Sequence, residues 1–199
     1  MNKKIVAIVG SYRKDGVVDH AVEAVLAGAR ERGADTHTIH LTEQQIEFCT
    51  NCRQCCQTPG PERGKCQHDD ALEAILAEIE SADSVVLASP VNYYNATALF
   101  RRFLERLLGF TYWPWGKATP QPRNKWKPRK AVLIASAGMP GFLIPIFTGT
   151  AKALKLASHS LGAEPVGKLW IGLSAMEQNH QLSARTVKQA HKLGMRLAG

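Results

Sequence analysis

At 199 residues the chain is long enough to bury its own core, and it reads as a single domain over 1–199. With 45% hydrophobic and 21% charged residues it is not a disordered polymer, and no apolar run reaches the length of a membrane span. The net charge of +8 admits nucleic acid as a partner, but suits equally well a protein whose ligands carry phosphate.

The opening MNKKIVAIVGSYRK is basic like a leader peptide. Its apolar run, Ile5 to Val9, is too short for one and meets Ser11-Tyr12-Arg13 where a cleavage site would stand, so a cytoplasmic location is expected. Thiols stay reduced there, and five cysteines are an odd number, so no disulfide framework is expected.

In chain order, KKIVAIV (3–9) reads as a buried strand, followed by a helix whose face is Val18, Val22, Val25, Leu26 and Ala29 and which ends near Gly33. ADTHTIHL (34–41) alternates like an edge strand, and Leu72, Ile75, Leu76 and Ile79 line the second helix. SVVLAS (84–89) is a third strand stopped by Pro90, and Leu99, Phe100, Phe103, Leu107 and Leu108 line the third helix. KAVLIAS (130–136) is strand four, with Leu154, Ala157 and Leu161 on the helix after it. EPVGKLWIG (164–172) is strand five, and Val187, Ala190, Leu193 and Leu197 mark the last helix. Five βα units in succession imply a doubly wound α/β fold, a five-stranded parallel sheet with helices on both faces, and 2-1-3-4-5 is the common strand order of such sheets. Such a sheet binds its ligand at the carboxyl edge, between strands 1 and 3.

The loops after strands 1, 3 and 4 should converge on that crevice. GSYRKDG (10–16) leads straight into a helix, and free backbone N–H groups with Ser11 and Arg13 make a phosphate cradle or, equally, an ordinary polar cap. It is neither a dinucleotide fingerprint nor a P-loop. SPVNYYNAT (89–97) offers a proline turn, two tyrosines and two asparagines; SAGMPGF (136–142) is Gly-rich and apolar. Together they suit a planar heterocycle on a monophosphate tail.

GSYRKDG, SPVNYYNATALFRRFLERL and SAGMPG resemble, in order and context, the NAD(P)H-dependent FMN reductases of the flavodoxin-like superfamily, over roughly residues 3–172. The resemblance implies FMN with its phosphate at Ser11, Arg13 and the amides of Gly16, Val17 and Val18. Pro90, Val91, Asn92, Tyr93, Tyr94 and Asn95 would run along the isoalloxazine ring, with Ser136, Ala137 and Gly138 flanking it from the other side. Family members often carry Asn-Thr where Val17-Val18 stand here and an aromatic in place of Asn92, while Asp19 adds a negative charge near the phosphate; weak flavin retention is therefore expected.

All five cysteines lie in CTNCRQCCQTPGPERGKC (49–66), inside a long insertion at about 42–70. Because the insertion leaves the carboxyl edge, the cysteines are expected on the flavin side. Cys49, Cys52 and Cys55, each separated by two residues, with Cys66 closing the set, have a spacing suited to an iron–sulfur cluster and leave Cys56 spare. Cys52, Cys55, Cys66 and His68 would suit zinc, and a thiol-rich wall without metal is the third reading. The loop resembles that of the iron–sulfur flavoproteins, although its gap from Cys55 to Cys66 is longer. It resembles equally a group of flavodoxin-like reductases in which the cysteines are followed by a Thr-Pro-Gly turn and a Gly-x-Cys before Asp-Asp, here Thr58-Pro59-Gly60, Gly64-Lys65-Cys66 and Asp69-Asp70.

A second loop, at about 109–130, is basic and aromatic. It reads as a lid or subunit contact over the flavin, with Lys117, Arg123, Lys125 and Arg129 as a rim for NADPH phosphates; single-stranded nucleic acid ranks well below. Arg101, Arg102 and Arg106 read as the solvated face of helix three, and the histidines show no metal spacing. No catalytic acid or base is nominated, because the cofactor carries the chemistry.

The expected function is an FMN-dependent NAD(P)H oxidoreductase that delivers electrons to a quinone, a nitro or azo compound, a metal ion or oxygen. The alternatives are an iron–sulfur flavoprotein passing electrons between FMN, a [4Fe-4S] cluster and a ferredoxin-like carrier, and a non-enzymatic flavin shuttle or sensor. The shuttle is disfavoured by the basic charge. A homodimer or homotetramer is what the resemblance implies.

Overall fold

The computed structural model describes residues 2–123, 128–178 and 180–199. The first strand, β1 (Lys4–Val9), is apolar throughout and buried from Ile5 to Val9, as a central parallel strand must be. Its alternation sorts two cores. Val6 and Ile8 face one side, with α2 (Leu72–Glu80), α3 (Ala98–Arg106) and α5 (Thr150–Ser160). Ile5, Ala7 and Val9 face the other, with α1 (Val17–Arg30) and α6 (Ala184–Ala198).

β1 lies between β2 (Asp35–His40) and β3 (Ser84–Asn92), followed by β7 (Arg129–Ser136) and β8 (Ala163–Ile171), all parallel. Counting only these five strands, the order is the expected 2-1-3-4-5, and the fold is flavodoxin-like. Chain direction reverses its crossover at β1, so the crevice opens beside the carboxyl ends of β1 and β3.

Pro90 does not stop β3, which continues to Asn92 and turns back as β4 (Asn95–Ala96). The ladder with β1 ends at Val9 opposite Ala88, so the N–H that Pro90 lacks is not needed on that side. Two further elements carry no local signal: the ribbon of β5 (Thr111–Tyr112) and β6 (Gln121–Pro122), and the one-turn α4 (Ile144–Phe147). Among the described residues, no helix is long and apolar enough to cross a membrane.

Candidate flavin site and cysteine insertion

The ends of β1 and β3 are stitched together by two hydroxyls. Thr97 caps α3 by accepting from Phe100 N, and its Oγ1 donates to Gly10 O at 2.5 Å. Thr97 N in turn donates to Ser89 Oγ at 3.1 Å. A Cβ on Gly10 would stand 2.7 Å from Phe100 Cβ, so this glycine lets α3 close on the end of β1. Sequence reasoning missed Ser89 and Thr97 as organisers of the site; a threonine directly before an apolar helical face was the available signal.

The first loop meets α1 at Gly16, an extended N-cap without a side-chain cap. The N–H groups of Val17, Val18 and Asp19 therefore point outward with no acceptor within the helix. Ser11, buried, closes a turn on Arg13: its Oγ donates to Arg13 O and accepts from Arg13 N, both at 3.2 Å. Arg13 Nη2 donates to Gln178 O at 2.9 Å, bridging this loop to the one after β8. Lys14 pairs with Glu43 at 2.6 Å.

Asp19 is the blemish in this cradle. Neither carboxylate oxygen closes a hydrogen bond. Burial pushes its pKa up, while His40, with Nδ1 at 3.9 Å, and the nearby N–H groups of Gly16 and Asp15 pull it part of the way back.

Tyr93 and Tyr94 form the two-residue turn between β3 and β4, both at positive φ (46° and 63°). Turns of this kind favour Asn-Gly, so two bulky residues here store strain. The rings are 95% and 65% exposed and meet edge to face at 6.3 Å between centroids. They are not core residues. Asn92 and Asn95, also exposed, pair across the hairpin, and Pro90 and Val91 are half-buried behind them.

The third loop backs the site more than it faces it. Ser136 and Ala137 are buried; Ala137 N donates to Ile171 O, and Ala137 O accepts from both N and Oγ of Ser174. Gly138 is the exposed member of the three. Uncapped helical N–H groups beside exposed aromatic rings fit a phosphorylated planar ligand, so the residues present fit FMN.

The cysteine insertion lies elsewhere than expected. It runs down the outer side of α2 and α3, with Arg63 paired to Glu73 and to Glu80, the last residue of α2. Cys56 Sγ donates to Leu108 O at 3.5 Å, and Cys66 lies against Arg106 at the end of α3. Thr97 and the flavin loops are at the other end of that nine-residue helix, about 13 Å away along its axis.

The basic loop follows the insertion instead of covering the flavin loops. Arg53 is sandwiched between Trp113 and Trp115, 3.8 and 4.3 Å from their centroids, and its Nη2 donates to Trp113 O. Arg123, expected on a cofactor rim, clamps the carbonyls of Cys55, Thr58, Gly60 and Gly109. Arg129 holds those of Glu80, Ala82 and Leu161 at the amino edge. Lys117 lies over Tyr112 at 5.1 Å, and Lys125 falls outside the described residues. A cavity of about 1020 Å³ opens between this loop and the amino edge, lined in part by Pro61, Phe110 and Leu161. It is the wrong edge for the ligand of such a sheet.

All five thiols are free, with Cys56 fully buried and the others half-buried. Cys55 Sγ is 3.7 Å from Cys56 Sγ. Burial, and then the neighbouring Cys56, Cys66 and Cys49, push the Cys55 thiol up to about 12. Among the described residues, no three His, Cys, Asp or Glu side chains stand as a site for a single metal ion, so the zinc set is not assembled.

The insertion and α3 also carry buried polar atoms that lack a partner. Arg53 Nε, His68 Nε2, Arg102 Nε and Arg106 Nε are buried without a partner, all on the insertion or on α3. Arg106 is not on a solvated face, contrary to expectation: its side chain is 1% exposed and paired with Asp70, 3% exposed, at 2.6 Å. Four cysteines in one insertion, with the unpartnered Arg106 Nε–H on the guanidinium that touches Cys66, match the donor chemistry of an iron–sulfur group.

The similarities to known proteins agree with this architecture. An iron–sulfur flavoprotein of Archaeoglobus fulgidus is 27% identical over 201 residues, covering 98% of this chain and 79% of that protein. Relatives of the same name in Methanocaldococcus jannaschii and Methanosarcina thermophila match at 30% and 29% identity over 103 residues, and the chain spans about half their length (51% each). Among solved structures, a flavone reductase superposes with TM-score 0.63 at 21% identity; 98% of this chain covers 62% of that one. An FMN-dependent NADH-azoreductase from Bacillus anthracis superposes with TM-score 0.71 at 14% identity over the whole of both chains. At such identities the superpositions establish the fold alone. The family described as NADPH-dependent FMN reductase matches residues 3–145. The chain belongs to the NADPH-dependent FMN reductase family, and its activity is flavin-dependent redox chemistry.

Proposed function

We propose that this protein is an FMN-dependent NAD(P)H oxidoreductase that delivers electrons to a small acceptor: a quinone, a nitro or azo compound, a metal ion or oxygen. The observation that carries the reading is the strained, exposed Tyr93-Tyr94 turn at the β1/β3 switch point, beside the uncapped start of α1. Bound FMN supplies hydride acceptance from reduced nicotinamide and electron delivery to the second substrate. The chain's part is positional. Ser11, Arg13 and the amides of Gly16, Val17 and Val18 hold the phosphate. Pro90 to Asn95 present a platform to the ring, and Ser136, Ala137 and Gly138 limit it opposite. No side chain is assigned as acid or base.

The test is anaerobic mixing of FMN-loaded protein with NADPH or NADH. Bleaching of the flavin within seconds, then recovery on adding a quinone, supports an enzyme. Retained FMN with no bleaching by either nucleotide would leave a flavin shuttle or sensor instead.

The second reading is an iron–sulfur flavoprotein with a [4Fe-4S] cluster at Cys49, Cys52, Cys55 and Cys66 and a ferredoxin-like carrier as partner. It is favoured by the buried Arg106 guanidinium against Cys66, with its Nε unpartnered, and by the name of the curated relatives. Iron and acid-labile sulfide, assayed after anaerobic purification and reconstitution, decide it; their joint absence would remove it. A second copy of this chain as partner, in a dimer or tetramer, and a cytoplasmic location belong to the same proposal.

A further inference from the structure

α3 ends on a buried guanidinium that the sequence places on a solvated face. Arg106 Nη1 donates to Glu47 O at 2.7 Å and to Asp70 Oδ2 at 2.6 Å, and Nη2 donates to Asp70 Oδ1 at 3.3 Å. Asp70 is itself fixed by the N–H groups of Glu47 and Leu72, at 2.8 and 3.0 Å. The guanidinium thus has one orientation. In it, Nη2 also donates to Cys66 Sγ at 3.4 Å, and Nε is buried with no acceptor.

Stability does not explain this arrangement. A buried ion pair generally stabilises no more than well-packed apolar residues would, and here one donor is left unsatisfied as well. A lysine could not replace the fork, because its compact charge cannot address a carboxylate, a carbonyl and a sulfur in fixed directions. The bonds to Asp70 and Glu47 O lock the fork, and in that orientation Nη2 reaches the Cys66 sulfur.

We propose that Arg106 is a positioning residue for the group held by the cysteines: it fixes the Cys66 sulfur and raises the reduction potential of that group. The inference rests on the iron–sulfur reading given above. Reduction adds an electron, hence negative charge, to thiolate-bound iron. A fixed buried cation with an N–H···S hydrogen bond favours the reduced form over the oxidised one. Asp70 acts through Arg106 by locking its fork, and the Nε–H remains without an acceptor.

The experiment uses the full chain, reconstituted anaerobically with iron and sulfide, as wild type, R106K and R106Q. Iron content and the midpoint potential, followed by absorbance and electron paramagnetic resonance, are the readouts. The expectation is full iron content with a lower potential in R106Q, by a tenfold or greater loss in the reduction equilibrium, which is about 59 mV for one electron. R106K, which keeps charge without the fork, should fall between the two. Should R106Q leave Asp70 stranded and fail to fold, the double variant D70N/R106Q removes both charges and is read the same way. Unchanged potential with iron retained in the Gln variants overturns the proposal and leaves the cluster standing. Wild-type protein that takes up no iron or sulfide overturns the cluster reading, and the proposal with it.

Discussion

Replacing Tyr93-Tyr94 by Asn-Gly should make the flavin-free protein more stable and a poorer flavin binder. Both residues sit at positive φ, where a side chain with a Cβ costs roughly 1 kcal/mol each, so the native turn stores about 2 kcal/mol. Glycine returns about 0.5–1 kcal/mol to the unfolded chain, and loss of the edge-to-face ring pair returns about 0.5 kcal/mol more. Little burial is lost, because the rings are 95% and 65% exposed. The net gain is about 0.5–1 kcal/mol, or a rise in Tm of roughly 1–4 °C for a domain of this size. Removing an aromatic platform that desolvates one edge of the ring should weaken FMN about 10- to 100-fold, the equivalent of burying from about two methylenes up to one large apolar side chain. Calorimetry of flavin-free protein and quenching of FMN fluorescence measure the two effects. A lower Tm would refute the strain argument, and an unchanged FMN affinity would refute the placement of the ring.

Asp19→Asn should stabilise the protein at neutral pH. Burial holds the native carboxyl's pKa above its usual value, so stability falls as pH rises from the ordinary carboxylate range through the raised native value, and the whole penalty is present above it. The gain from the variant should vanish near pH 3 and be accompanied by FMN binding tighter by roughly two- to tenfold; equal melting differences at pH 3 and pH 7 would contradict this. In metal-free protein, the Cys55 thiol keeps its proton up to about 12, whereas the unfolded chain ionises from 9.0, so stability should decline as pH climbs through that window. Cys55→Ser should flatten the alkaline decline in urea midpoints, and an equal slope in both proteins would exclude the cause. Arg123→Ala removes the clamp on four backbone carbonyls and should cost about 2–4 kcal/mol. Hydrogen exchange should then rise over 53–66 and 109–113 with FMN affinity unchanged; loss of FMN instead would mean that the insertion reaches the flavin site.

The sheet was legible in the chain because its signals are local. IVAIV and AVLIA are apolar without alternation, as strands covered on both faces must be, and each is followed by residues with helical period. The βα succession gives the class of sheet, the expected strand order is the common one of that class, and the crevice follows from the order. The polar first loop was visible for the same reason, since a phosphate cradle is built from neighbours in sequence; the Tyr93-Tyr94 hairpin was not, because Pro90 reads as the end of a strand.

What the chain alone did not reveal is every feature made by distant partners. Arg106 has the helical position of a solvated residue, and only Asp70, brought to it by the fold, makes it buried. Arg123 and Arg129 look like a cationic rim in a basic tract, yet their guanidiniums are taken up by carbonyls from other elements. The insertion was placed at the flavin mouth because it leaves the carboxyl edge. Its course down α3 is set by Arg63 on α2, Gly64 against Gly109, and Arg53 between two tryptophans. In particular, a Cβ on Gly64 would lie 1.8 Å from Cys55 O, so that close backbone passage needs glycine. Periodicity along the chain determines which face of each element is apolar; where a long polar loop comes to rest depends on charges and carbonyls that meet only after the sheet has formed.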